Sequence, residues 1–144
     1  MAPLPRTSAG GRLADLAGLS PREYLRAFDR ANLLQTFPGR TRRDDSWPIR
    51  DARIAAAAMK PLLAGRRVIL VGRNVATAFG FPAIQMEFHE WARDDKWDFD
   101  LAVVPHTSGR SHWYRKEGNE ARARRFWAEA LGERGEIPKL RVAR

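Results

Sequence analysis

Leu101-Ala-Val-Val-Pro-His-Thr-Ser-Gly-Arg-Ser-His-Trp-Tyr114 is the stretch whose reading decides the fold. Leu101, Val103 and Val104 are β-formers, and Pro105 ends them because proline has no N–H for a strand ladder. A strand therefore hands over to a loop that holds an imidazole (His106), two hydroxyls (Thr107, Ser108), a glycine that lets backbone approach a ligand (Gly109) and a guanidinium (Arg110). In open α/β sheets, ligands bind outside the carboxyl ends of the strands, which is where these groups fall.

The same grammar recurs upstream. Arg67 to Val71 is a β-type run bounded by Gly65 and Gly72, and it delivers Gly72-Arg73-Asn74. Arg30 to Gln35 reads as a short buried strand around Asn32, followed by a long Arg- and Asp-bearing loop from Phe37 to Pro48. Loops of that length in compact domains tend to be functional or mobile. Three polar clusters then share one sheet edge.

Helices separate these strands. Arg12 to Gly18 has helical spacing, and Ser20-Pro21-Arg22-Glu23 combines a capping box with proline at the first helical position, starting a helix that buries Tyr24, Leu25 and Phe28. From Asp51, a stripe of Ile54, Ala55, Ala58, Met59, Leu62 and Leu63 predicts a helix that Pro61 distorts and Gly65 closes. Asn74 is placed to cap a short helix bearing Val75, Ala78 and Phe79. Gln85 to Trp91 suits a strand or a short helix, and Arg93 to Asp98 a charged turn. Asn119 to Leu131 is amphipathic, with Ala123, Phe126, Trp127 and Ala130 inward and Arg122, Arg124 and Arg125 outward. Alternating strands and helices predict an α/β domain spanning residues 1–144, with 1–11 and the basic tail 134–144 loose.

Composition bounds the chemistry. The chain has 144 residues and no cysteine, which removes disulfides, thiolate catalysis and cysteine-held zinc or iron–sulfur clusters. His89, His106 and His112 are scattered, so neither a metal nor a cofactor is expected. No apolar run approaches the roughly 18 residues of a membrane span, so the expectation is a soluble, cytoplasmic protein without membrane contact. The formal charge is +9, and lysine occurs only at Lys60, Lys96, Lys116 and Lys139, so arginine carries it. An arginine-rich genome would explain the preference over lysine but not the excess of 26 basic over 17 acidic residues. Guanidinium forks match phosphate oxygens and stack on bases, so a nucleic-acid partner is expected.

In order and spacing, the motifs resemble the uracil-DNA glycosylase superfamily, and most of all its iron–sulfur-bearing branch. Asn32-Leu-Leu-Gln-Thr-Phe-Pro38 is similar to the family's strand ending in Asn, with proline six residues on. Arg67-Val-Ile-Leu-Val-Gly-Arg-Asn-Val-Ala76 resembles its third strand with a Gly-Arg-x-x-Ala helix start. Val103-Val-Pro-His-Thr-Ser108 resembles the strand leading into His-Pro-Ser, and Ser8-Ala-Gly-Gly-Arg-Leu13 the segment after the first catalytic loop. The resemblance implies a three-layer α/β/α fold on a short, mostly parallel central sheet. It implies a hydrolase of N-glycosidic bonds that flips uracil or a modified pyrimidine out of DNA, as in DNA repair. His106 would stabilise charge on the leaving base, and Asn32 would read the pyrimidine edge through its amide. Ser108 and Gly109 would hold the flanking phosphate, Arg110 would fill the hole left by the flipped nucleotide, and Arg73 would contact DNA. Trp113 and Tyr114 are read first as packing and second as stacking groups.

Two departures accompany the resemblance. The branch's cluster cysteines are absent. The family's first strand, central in its sheet, and the loop supplying the water-positioning Asp, Asn or Glu have no counterpart, since the first carboxylate is Asp15. Asp44 and Asp45 are the substitutes the long loop offers, although loop carboxylates are ordinarily just solvated. The alternative is a non-catalytic nucleic-acid binder that kept the base pocket and lost the water-activating residue.

Overall fold

A computed structural model describes residues 9–33, 48–81, 87–107, 112–132 and 140–143. In chain order the elements are α1 (Ala9–Leu16), α2 (Pro21–Ala27), β1 (Phe28–Ala31), α3 (Ile49–Met59), a 3-10 turn (Lys60–Leu63), β2 (Arg67–Val71), α4 (Arg73–Ala78), β3 (Trp91–Asp94), β4 (Phe99–Val104), a second 3-10 turn (Trp113–Arg115), α5 (Asn119–Gly132) and β5 (Leu140–Ala143). The strands form one sheet in the order β1-β5-β2-β4-β3. The pairs β1–β5, β5–β2 and β2–β4 are parallel, and β3 runs antiparallel to β4. The fold is α/β.

Residues 68–71 of β2 and 101–104 of β4 are continuous apolar runs because both of their faces are covered. In register, Val68 lies beside Leu101 and Ile69 beside Ala102. Ile69, Val71, Ala102 and Val104 pack with Leu13, Tyr24, Phe126 and Trp127 from α1, α2 and α5. Val68, Leu70, Leu101 and Val103 pack with Ala52, Ala56, Val75 and Phe79 on the other face. The period-2 alternation of a strand thus serves two cores.

The tail departs most from expectation. Residues 140–143 are a strand between β1 and β2, with Val142 opposite both Arg30 and Ile69. A loose terminus is therefore not what this stretch forms. At the other end, α1 begins at Ala9 rather than Arg12, with Gly10 and Gly11 buried. Burial there outweighs glycine's poor helix propensity of about 1 kcal/mol.

The capping box forms as read. Ser20 Oγ accepts from the Glu23 amide at 3.2 Å, and Glu23 Oε2 accepts from the Ser20 amide at 2.7 Å. The helix ends at Ala27, and β1 begins two residues before the expected strand start, so Phe28 is the first residue of β1 rather than part of the helix face. Phe28 is buried edge-on against Trp127 at 5.4 Å, and its hydrophobicity suits either assignment.

Three further corrections have local causes. In α3 the buried residues are Ala52 and Ala56, whereas Ile54 and, in the following turn, Leu62 are 70% and 71% exposed. A small-residue face sits against the core and leaves the larger side chains outside. Pro61 does convert the last turn to 3-10, and Gly65 ends it at φ +74°. Gly72, not Asn74, precedes α4. Arg93, expected in a turn, lies in β3, because cross-strand pairing with Asp100 at 3.2 Å and with Asp98 makes a charged edge strand favourable. Of the ambiguous 85–91 segment, Phe88 and His89 form a turn, and the strand starts only at Trp91.

α5 buries Ala123, Phe126, Trp127 and Ala130 as its periodicity predicts. Its outward arginines act as ties between segments. Arg122 donates to the Phe88 carbonyl at 3.1 Å, and Arg124 to the Asp15 carbonyl at 2.9 Å. No helix among the described residues is long and apolar enough to cross a membrane.

Candidate functional site

Asn32 directly follows β1, Gly72 and Arg73 follow β2, and Pro105, His106 and Thr107 follow β4, all at the carboxyl edge of the parallel strands. A cleft of about 260 Å³ opens there, lined by Gly72, Arg73, Phe88, Pro105, His106 and Trp113. That is just under the usual range of ligand pockets, about 300–1,000 Å³, and suits one small planar group.

Gly72 permits this proximity. Its backbone lies at φ +94°, ψ 155°, a region open essentially to glycine alone. A Cβ there would sit 3.7 Å from His106 Cβ. The Gly72 amide donates to the Val104 carbonyl at 2.8 Å, tying the exits of β2 and β4 together. His106 is exposed while Pro105 and Thr107 on either side of it are buried. The Tyr114 hydroxyl donates to the Pro105 carbonyl at 2.6 Å, and Arg12 Nη1 to the Thr107 carbonyl at 2.7 Å.

The opposite wall is aromatic. Phe88 and Trp113 meet edge-to-face at 5.9 Å, and the Arg73 guanidinium lies 5.2 Å from the Phe88 ring centroid. A guanidinium over a ring face is held by the ring quadrupole, and among the described residues no carboxylate pairs with Arg73 to neutralise its charge. Among the described residues no cluster of His, Asp and Glu could hold a metal ion, and no carboxylate lines the cleft.

Of the residues singled out from sequence, His106 and Arg73 come together in this cleft. Asn32 shares the edge but is not on the lining; three strand spacings, roughly 14 Å, separate the ends of β1 and β4. Ser108, Gly109 and Arg110, like Asp44 and Asp45, lie outside the described residues. Trp113 packs against the core, as its first reading has it, and also lines the cleft. Phe88 was not singled out as a site residue, because its alternation with Met86 suggested only a strand, whereas it lies in a turn.

His89, directly after Phe88, holds that turn. Its φ is +63°, its amide donates to the Val103 carbonyl at 2.9 Å, and its ring lies 4.9 Å from that of Trp113 and 5.2 Å from that of Phe126. Neither ring nitrogen has a hydrogen-bond partner among the described residues. Burial, helped by the charge of Arg122, pushes the imidazole pKa down from 6.5 to about 4. The unfolded chain therefore binds this proton below about pH 6.5 and the folded chain only below about pH 4. Stability should fall as pH drops through that window, by roughly 3 kcal/mol at its end. Carboxylates titrate there too, so urea midpoints of the wild type and His89→Asn should be compared from pH 7 to 4. The wild type should lose more stability than the variant, and parallel curves would contradict a neutral buried His89.

Comparison of the chain with protein-family models, with curated proteins and with solved structures finds no match.

Proposed function

We propose that this chain is a DNA-binding protein of uracil-DNA-glycosylase-like α/β/α architecture that takes a flipped uracil or modified pyrimidine into the cleft beside His106 and hydrolyses its N-glycosidic bond. The observation that carries the reading is one small cleft holding an exposed imidazole, an aromatic wall and a guanidinium at the carboxyl edge of the sheet. β5 supports the architecture, because it supplies a parallel strand between β1 and β2, where the family's first strand would lie.

The chemistry follows from the groups. As the bond from the sugar C1′ to the base nitrogen breaks, its electron pair leaves with the pyrimidine and the sugar becomes oxocarbenium-like. A donor from His106 to a base carbonyl oxygen would stabilise the negative charge that appears there. A water oxygen then bonds to C1′ and gives up a proton, and the base leaves with a proton in its place. Phe88 and Trp113 would face the ring, and Arg73 a neighbouring phosphate. Asn32, from β1, would approach the base from the far side.

A second reading has a specific observation in its favour. With no carboxylate among the described lining residues, nothing there orients the water, which suits a binder that holds an extruded base without cleaving it.

Binding is tested by fluorescence anisotropy on oligonucleotides with uracil, thymine or cytosine at one position. Affinity should fall steeply with salt as phosphate counterions are released. Asn32→Asp replaces an amide donor by an acceptor, so preference among the three bases should shift roughly tenfold or more, with smaller change on undamaged DNA. Equal losses on all three bases would mark Asn32 as structural. No binding at low salt would remove the nucleic-acid reading.

A further inference from the structure

The backbone that carries His106 is fastened on both sides by side chains from distant segments. The carbonyl before it, Pro105 O, accepts from Tyr114, and the carbonyl after it, Thr107 O, accepts from Arg12, which is 95 positions away in sequence. The Val104 carbonyl is already taken by Gly72. Proline adds a fixed φ at 105. Three of the four carbonyls from 104 to 107 are thus held by donors from the β2–α4 junction, the second 3-10 turn and α1.

A surface loop ordinarily leaves such carbonyls to water. Here an arginine and a tyrosine flank one exposed imidazole, and the tyrosine comes from the turn whose Trp113 lines the same cleft. Burial pushes the Tyr114 phenol well above its usual range, so it remains a donor at neutral pH. The Trp113 and Tyr114 rings meet edge-to-face at 5.1 Å, so cleft wall and fastening are in direct contact.

We propose that Arg12 and Tyr114 are positioning residues that hold the His106 backbone in its ligand-ready conformation. They touch no ligand themselves. Their benefit is that the imidazole needs no reorganisation when a group enters the cleft. The structural part stands on the hydrogen bonds alone; the effect on turnover rests on the glycosylase reading.

The test uses the full chain with Tyr114→Phe, which removes only the hydroxyl, together with Arg12→Gln and Arg12→Lys. Backbone order parameters at residues 106 and 107 should drop from the rigid range, about 0.85, toward 0.6 in Tyr114→Phe and Arg12→Gln, and stay high in Arg12→Lys. Those in β2 and β4 should not change. Base release at saturating DNA should fall roughly tenfold in the first two variants with KM nearly constant, and Arg12→Lys should restore most of it. Ile69→Val, a core change of similar thermal cost, should leave turnover unchanged. Order parameters that stay rigid in both Tyr114→Phe and Arg12→Gln would overturn the proposal, as would turnover that merely follows melting temperature across all four variants. If the wild type releases no base, the glycosylase reading fails, and the order parameters still decide the fastening.

Discussion

A chain cut after Glu133 should show no cooperative unfolding transition. Among the described residues β5 is the sole sheet neighbour of β1 and one of two neighbours of β2, so its loss strands β1 and opens the middle of the sheet. The core between that sheet face and α1, α2 and α5 then loses its continuous backing. A typical domain has about 5–15 kcal/mol to lose, and removing a central strand exceeds that. Val142→Pro is the milder version. It deletes one N–H from a strand paired on both sides, leaving a carbonyl partner unsatisfied at about 1–3 kcal/mol, with ring strain in addition. Thermal melts followed by far- and near-UV circular dichroism read both changes. A truncated chain that melts cooperatively within a few degrees of the parent would contradict the strand order.

His106→Ala should slow base release by a factor on the order of a hundred or more, the usual cost of one donor to a developing anion. DNA affinity should barely move, because in the proposed reaction the charge that His106 would meet exists only in the transition state. The fold should be indifferent as well, since the side chain is exposed and a surface change of this kind costs within about 0.5 kcal/mol. Single-turnover kinetics on a uracil-containing oligonucleotide, anisotropy and a urea titration separate the three effects. Loss of affinity in step with rate would make His106 a binding group. Unchanged release would move the active site elsewhere.

The sheet's middle was legible where one local rule suffices. Residues 68–71 of β2 and 101–104 of β4 are continuous apolar runs followed by glycine or proline, and both strands occur where they are expected. The Ser20 capping box and the inward face of α5 are equally local. β5 was not legible, because Leu-Arg-Val-Ala is too short to show a period in a basic tail, and its place between β1 and β2 is a long-range pairing. β3 was hidden by Arg93 and Asp94, whose charges suit a turn until Asp100 is placed opposite Arg93.

The candidate site divides in the same way. His106, Gly72 and Arg73 follow strands directly, so the rule about strand ends finds them. Phe88 and Trp113 reach the cleft from irregular turns, which only tertiary packing brings over the sheet edge. Arg12 was marked through its Gly-Gly-Arg segment, but its hold on the Thr107 carbonyl depends on where α1 packs.

The most direct measurement incubates the wild-type chain with a duplex and a single strand carrying one uracil, then treats the DNA with alkali. The account predicts breaks at the uracil position that accumulate with time and are lost in His106→Ala. Tight, salt-sensitive binding without any break after long incubation would contradict it, leaving a protein that holds an extruded base and does not cut it free.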